Sequence, residues 1–285
     1  MIAKEFQGTS DLAPGMKVHT RQRITLFLAK GQQTYLVGPA STDARATTQY
    51  GRTTISAAEA AGQTVISITS NTDTTTYPGT TVTMTDSDIV GIQTDDSGGD
   101  DIFWTTISGT PSSTMTIASA LPTGRPAAAG NYVYWFTSRA QRFPVLETAV
   151  LRNSSLNDSE LGVFTTAADY DAGVVDKYAD GQPSAILVEP LRIATRITCN
   201  SQPTDVTSQI VLTALYPAED YDATTDDIAF PQEWLGYLEW ELTLRSCPMF
   251  GRPWTPEMQM NHQASMIRAK SLNPENSDLY FRCNA

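Results

Sequence analysis

Four carboxylates crowd one short stretch of the chain: Asp95, Asp96, Asp100 and Asp101 flank Gly98-Gly99. Oxygen ligands at that density are what a calcium ion takes, but the spacing departs from an EF-hand loop, which alternates its ligands and closes on a glutamate. Asp and Gly also dominate hairpin turns, so the run reads as a solvated hairpin tip, with a cation site as the alternative. His19 and His262 stand far apart and outside any HExxH or HxH pattern. Neither a metal site nor a histidine-based triad is expected of them, and both are assigned to the surface or an interface. Cys199, Cys247 and Cys283 are odd in number and lack CxxC spacing, which fits free thiols in a reducing cytoplasm. The chain holds no GxSxG elbow, no GxxxxGK[ST] loop and no GxGxxG after a strand. Glycosidase carboxylates pair in space, and 31 acidic residues single out no pair. The expectation is a protein that is not an enzyme, with no catalytic residue, cofactor or metal.

Aromatic residues offer a different chemistry. Trp104 and the run Tyr132–Phe136 (YVYWF) could present a face for stacking sugars. A strand alternates sides, so Tyr132, Tyr134 and Phe136 point one way while Val133 and Trp135 point the other. Apolar residues on both faces favour a core strand lying between two sheets over a ligand platform.

The 285 residues suffice for a full core or two, and 40% hydrophobic with 18% charged is ordinary globular composition. Net charge is −12, with only 19 Lys and Arg spread along the chain. Phosphate-binding surfaces need clustered basic residues, so tight nucleic-acid binding is disfavoured. An acidic wall beside DNA repels it, which suits a channel and not a clamp. The opening MIAKEFQGTSDLAPGM has no apolar core after a basic start, so no signal peptide is expected. No run approaches the ~20 apolar residues that span a bilayer, and no membrane partner is expected.

The elements that must position these residues are mostly strands. Residues 20–37 read as two strands around a Lys30-Gly31 turn, with Arg21, Arg23, Thr25 and Phe27 alternating against Gln22, Ile24, Leu26 and Leu28. From about Thr42 to Ser138 the composition shifts to Thr, Ser, Gly and Asp. Strands are predicted there at Thr64–Thr69, Thr81–Thr85, Ile89–Thr94, Ile102–Ile107, Thr114–Ala118 and Tyr132–Thr137, with Ser56–Ala61 the one helical competitor. Such spacing suggests a small antiparallel sandwich. Phe143–Arg152 returns to the first type, so the Thr-rich part reads as an insertion at a hairpin tip. A short helix is predicted within Thr166–Tyr178, then strands at Ser184–Val188, Arg192–Cys199 and Ser208–Leu215. An acidic loop, Thr224–Asp227, leads to two helices. The first starts at Pro231 and carries two apolar rows, Leu235, Leu238 and Leu242 beside Tyr237, Trp240 and Leu244, and Pro248 is expected to stop it. Thr255 caps the second, with Pro256 at its first turn. The fold class is therefore mainly β with C-terminal α-helices (α+β). Its expected organisation is a parent domain of residues 1–41 and 141–270, an inserted antiparallel β-sandwich of 42–140, and a docking tail of 271–285.

The order of these elements resembles the head-to-tail adaptor (neck, or connector) proteins of short-tailed double-stranded DNA phages. Three segments carry the resemblance: RQRITLFLAKGQQTYLVGP (21–39); IVGIQTDD with DIFWTTISGT and AAAGNYVYWFTSRAQRFPVLETAVLR; and FPQEWLGYLEWELTLRSCPMFGRP. The last is similar to that family's helix ending in a Pro-x-aromatic-Gly turn. The resemblance implies a structural virion protein assembled in the host cytoplasm into a ring, a dodecamer, that joins the portal protein to the tail nozzle. DNA would pass through that ring without specific binding. It also implies a C-terminal extension that reaches the portal.

Two partner surfaces are expected. One apolar row of the first helix, Tyr237, Trp240 and Leu244, either faces a neighbouring subunit or is buried within its own domain. In the tail, Leu279, Tyr280 and Phe281 form a short apolar anchor after a polar, turn-prone lead. The alternative function is a β-sandwich binding module, a receptor- or carbohydrate-binding accessory protein of the virion.

Overall fold

The structure, a computed structural model, describes residues 19–39, 45–95, 100–177, 179–217 and 232–272. The fold is mainly β, 39% strand and 16% helix, with its long helices at the C-terminal end. His19–Tyr216 form one compact unit, and the two long helices belong to a second.

The first unit is organised by strands that are apolar on both faces. Strand β1 (His19–Phe27) lies in a five-stranded sheet with β3 (Arg45–Thr47), β12 (Val145–Arg152), β13 (Asp158–Glu160) and β17 (Gln209–Pro217), ordered β13-β12-β17-β1-β3. Ile24 and Leu26 of β1, with Leu28 just beyond it, enter a core shared with Ile210, Leu212 and Ala214 of β17. The opposing layer of that core is a second sheet, β14-β15-β16-β2, built from β14 (Gly162–Phe164), β15 (Ala185–Pro190), β16 (Thr195–Cys199) and β2 (Thr34–Val37). β14 and β15 run parallel, and β15, β16 and β2 pair antiparallel. The other face of β15 sends Leu187 outward, where Tyr170 and Val174 from the short helix α1 (Ala167–Gly173) and its end cover it. Thr166 caps that helix, its Oγ1 accepting from the Asp169 N–H and donating to the Asp169 carboxylate at 2.6 Å.

Phe27 leaves β1 on the other side and enters a second core with Tyr50, Ile102, Tyr134, Phe136 and Val206. The far wall of this core is the sheet β4-β11-β8-β9, from β4 (Gly51–Thr54), β11 (Tyr132–Phe136), β8 (Ile89–Thr94) and β9 (Asp101–Thr106). β11 repeats the division. Tyr134 and Phe136 join Phe27, while Val133 and Trp135 enter a third core with Ile55, Ile66, Val90, Ile92, Met115 and Ile117. That core is closed by two small pairs, β5 (Val65–Ser67) with β10 (Thr114–Thr116) and β6 (Thr72–Asp73) with β7 (Val82–Thr83). Pairing within Gly51–Phe136 stays within that segment, whereas β3 pairs back onto β1. Ser56–Ala61 is not helical. Glu59 exchanges backbone hydrogen bonds with Ala127 and accepts from the Ser67 N–H, and these bonds hold the stretch against the sheet more firmly than one short helical turn would.

Two glycines let indoles lie flat on neighbouring strands. A Cβ on Gly51 would fall 2.1 Å from the Trp135 ring, and one on Gly91 would fall 2.7 Å from the Trp104 ring. Away from Phe27, the same face of the five-stranded sheet is polar and ion-paired. A bulge between Leu146 and Thr148 accommodates Glu147, which accepts from Arg21 at 2.6 Å. Arg152 grips Asp158 through Nε and Nη2 (2.7 and 2.8 Å) and holds its carboxyl below the usual range.

The Thr-rich segment buries two carboxylates among the described residues, Asp73 (3% exposed) and Asp88 (1%), and Asp73 gathers the more donors. It accepts from the N–H of Arg52 (2.8 Å), from the N–H and hydroxyl of Thr75 (both 2.7 Å), and from both donors of Thr76. Burial alone raises its pKa, and these donors outweigh burial, so the net shift is downward. Its contribution is therefore complete above the ordinary carboxylate value, near pH 4, and is lost as the pH falls through the lowered one.

Gly51→Ala forces a methyl into the buried Trp135 ring and is expected to lower stability by about 2–3 kcal/mol; an unchanged urea midpoint would contradict the close approach. Asp73→Ala leaves the N–H of Arg52 and the donors of Thr75 and Thr76 without their acceptor and is expected to cost about 2–3 kcal/mol at neutral pH. Its deficit against the parent protein should shrink below about pH 4, and a deficit independent of pH from 7 to 3 would show that the carboxylate is not the stabilising species.

Candidate functional site

The C-terminal unit presents a helical hairpin. Helix α2 (Gln232–Met249) and helix α3 (Pro256–Leu272) pack against one another. Pro231 and the acidic Thr224–Asp227 loop lie outside the described residues. Pro248 does not stop α2, contrary to the expectation from its ring. It sits in the last turn; the helix ends one residue later at Met249, and the chain turns at Gly251, whose φ is +63°. The Arg252 N–H bonds to the Cys247 carbonyl at 2.9 Å and the Gly251 N–H to the Pro248 carbonyl at 3.3 Å. That is a Schellman cap, which satisfies the terminal carbonyls and needs a left-handed residue that glycine adopts without strain. On α3, Thr255 caps as its type predicts, its Oγ1 accepting from the Met258 N–H.

Polar and aromatic side chains pin the two helices together. The Glu241 carboxylate lies 2.9 Å from His262 Nε2, 3.3 Å from both Nε and Nη2 of Arg245, and accepts from the Tyr237 hydroxyl at 3.4 Å. The Tyr237 ring lies 5.3 Å from the imidazole, and Trp254 meets it edge-on at 6.2 Å. Trp240 contacts Trp254 edge-to-face, and Trp254 Nε1 donates to Gln259 at 2.7 Å. Burial, then the Glu241 charge and the hydrogen bond to it, push the Tyr237 hydroxyl up to about 12. The imidazole is oriented by a carboxylate as in a hydrolytic dyad. The nearby Ser265 hydroxyl, however, donates to the His262 backbone carbonyl, so the arrangement acts as a clamp between helices. The expected interface residues are thus partly engaged within the hairpin. Tyr237 and Trp240 touch α3 and the loop before it, Leu244 is half-buried, and Leu242 from the other row is 54% exposed.

Beside the clamp, an apolar cleft of about 640 Å³ opens between the end of α2 and the start of α3. Leu242, Cys247, Phe250, Pro253 and Met258 line it, with Arg252 among its walls. Met249 and Phe250 are 83% and 79% exposed, and Met260 and Ile267 of α3 are also exposed.

The other sequence candidates have structural duties. Asp95 accepts from the Ala128 N–H and from Asn131, Asp100 from Gln93, and Asp101 pairs with Arg125 at 2.7 Å. These contacts brace the base of the β8–β9 hairpin, whose tip, with Asp96, lies outside the described residues. No group of three or more His, Cys, Asp or Glu poised for a metal occurs among the described residues. Tyr134 and Phe136 are fully buried, and Trp104 and Tyr132 pack against the same core. The run therefore forms a core strand, as its alternation predicts, and no stacking platform. His19 falls on β1, and its side chain is outside the described residues. Cys199 is buried, which pushes its thiol up to about 12, and Cys247 is buried in the cleft wall. Leu279, Tyr280, Phe281 and Cys283 lie outside the described residues. Sequence reasoning missed the Glu241–His262 contact, because its partners sit on different helices and share no local spacing.

Compared with protein families, curated proteins and solved structures, the chain gives no match. No helix among the described residues is long and apolar enough to cross a membrane.

Glu241→Ala removes the acceptor that His262, Arg245 and Tyr237 share and is expected to loosen the hairpin by about 1–3 kcal/mol. Amide hydrogen exchange across residues 232–272 should rise accordingly, while exchange in β1 and β11 stays as before. Unchanged exchange in the helices would remove the clamp from the account.

Proposed function

We propose that the chain is a structural protein of the virion. Copies of it form a ring in the neck of a short-tailed double-stranded DNA phage, joining the portal to the tail nozzle and lining the DNA channel. The observation that carries this reading is the helical hairpin. Its first helix runs into the Pro248–Gly251 turn on which the resemblance was drawn, a second helix follows, and large apolar side chains stay on its surface. Surfaces of that kind mark sites of protein association. The net charge of −12 per copy accumulates around a ring, and repulsion between duplex and wall lets DNA pass without sticking. The aromatic residues that a carbohydrate-binding module would need on its surface are committed to the core between β1 and β11, which weighs against that alternative.

The test is assembly. Purified protein mixed with the portal is expected to give rings attached to the portal in negative-stain images, with no duplex binding that tightens as salt is lowered. A chain that stays monomeric beside the portal and binds glycans would replace this reading with the binding module, and tight, salt-sensitive duplex binding would exclude a passive channel wall.

A further inference from the structure

We propose that the two ends of the β15–β16 hairpin are complementary surfaces, and that the acidic end of one copy meets the basic end of the next. The assignment rests on the ring reading and names the contact that links neighbouring copies.

Among the described residues of the β-rich unit, the two most exposed large apolar side chains are Val175 (100%) and Ile193 (75%). They stand at opposite ends of one hairpin. β15 and β16 pair from Ile186 with Cys199 to Pro190 with Thr195. Ile193 lies in the turn that joins them, which the Leu191 N–H closes by donating to the Ala194 carbonyl at 2.8 Å. The chain that follows α1 is tied to the other end. The Gln33 side chain donates to the carbonyls of Lys177 and Cys199. Backbone bonds from Gly181 to Gln202 and from Gln202 to Ala179, both 2.9 Å, hold Asp180 just beyond.

Each apolar side chain stands among charges of one sign, and the two signs differ. Residues 169–180 contain Asp169, Asp171, Asp176 and Asp180 against the single Lys177, which pairs with Asp171 at 2.6 Å. Asp169, Asp171 and Asp180 are exposed. At the turn the exposed Arg192 precedes Ile193, and Arg142 is fixed beside it, its Nε donating to the Leu191 carbonyl. Glu189, the only acid in residues 185–199, pairs with Arg196 at 3.4 Å. At a net charge of −12, two copies repel on average. A contact between them needs a surface of opposite sign, and the Arg192 end supplies one. Opposite charges then steer and register the approach, while the valine and the isoleucine leave water.

One copy cannot close this contact on itself. β15 runs from Ala185 to Pro190, which holds the two ends about 17 Å apart on hydrogen-bonded strands. A contact between two different patches is heterologous, and repeated head to tail it closes into a ring when the rotation allows.

The test is a charge swap in the full chain. Protein is mixed with the portal at low salt, complete rings are counted in negative-stain images, and the chain alone is followed by sedimentation. Arg192→Glu and Asp180→Lys are each expected to lower the ring count about tenfold, and the chain carrying both should recover to within about twofold of the parent. The two positions lie too far apart in one copy to couple, so recovery reports a contact between copies. Val175→Lys, at a fully exposed position, takes the place of Asp180→Lys should circular dichroism show a disturbed fold. Full ring counts with either single variant, or no recovery in the double one, overturn the assignment and leave the ring reading standing. Parent protein that forms no rings on the portal ends the ring reading instead. Self-association of the chain alone, compared across the same variants, then decides the contact: assembly that stops at a dimer, or that the swaps leave unchanged, overturns it as well.

Discussion

The Phe27 ring is the contact on which the β-rich unit depends. It lies 5.2 Å from Tyr50, 5.1 Å from both Trp104 and Tyr134, and 6.1 Å from Phe136, with ring planes from parallel to nearly perpendicular. Aromatic groups at such distances contribute beyond the area they bury. More important is where the ring comes from. The strand that sends Ile24 and Leu26 into one core sends Phe27 into the next, so neither core can be dismantled without disturbing the other. β11 does the same between the second and third cores through Tyr134 and Trp135. Tyr50 adds a polar tie, its hydroxyl donating to Gln209 of β17 at 2.8 Å, and burial raises its pKa to about 12. The Thr-rich segment is thus joined to the flanking sheets by a filled aromatic core.

Much of this was legible in the residues because strand periodicity is local. Ile89–Thr94 forms β8 over its predicted span, and β9, β10 and β11 fall within a residue or two of theirs. The alternation of β11 gave the side each aromatic faces. Features that depend on distant partners were not legible. Asp73 looks like one more acid in a polar loop until Arg52, Thr75 and Thr76 converge on it. Pro248 breaks helices by a local rule, yet the end of α2 is decided by the left-handed Gly251 and by the Gly251 and Arg252 N–H bonds to the Pro248 and Cys247 carbonyls. Glu241 and His262 meet only because the hairpin turns between them.

The two units divide the chemistry of the chain. The β-rich unit spends its aromatics and most of its Thr-rich segment's acids on internal bonds, and its outer sheet face is neutralised by the Arg21–Glu147 and Arg152–Asp158 pairs. In the helical unit one row is turned inward to the clamp, while Leu242, Met249, Phe250, Met260 and Ile267 stay exposed. The β-rich unit leaves Val65, Val145, Val175 and Ile193 exposed, at strand ends and in loops.

The place of β1 in its sheet bears on how the protein is made. β1 is hydrogen-bonded between β3 and β17, one soon after it in the chain and the other at the far end of the unit. At about 5–20 residues per second on the ribosome, β1 waits on the order of 10–40 seconds before β17 can emerge. In that interval its edge and one apolar face are open, and nascent copies on one message would carry the same open edge side by side. The charged Arg21 and Arg23 on that strand are the kind of residue that keeps an open edge from pairing with the wrong chain.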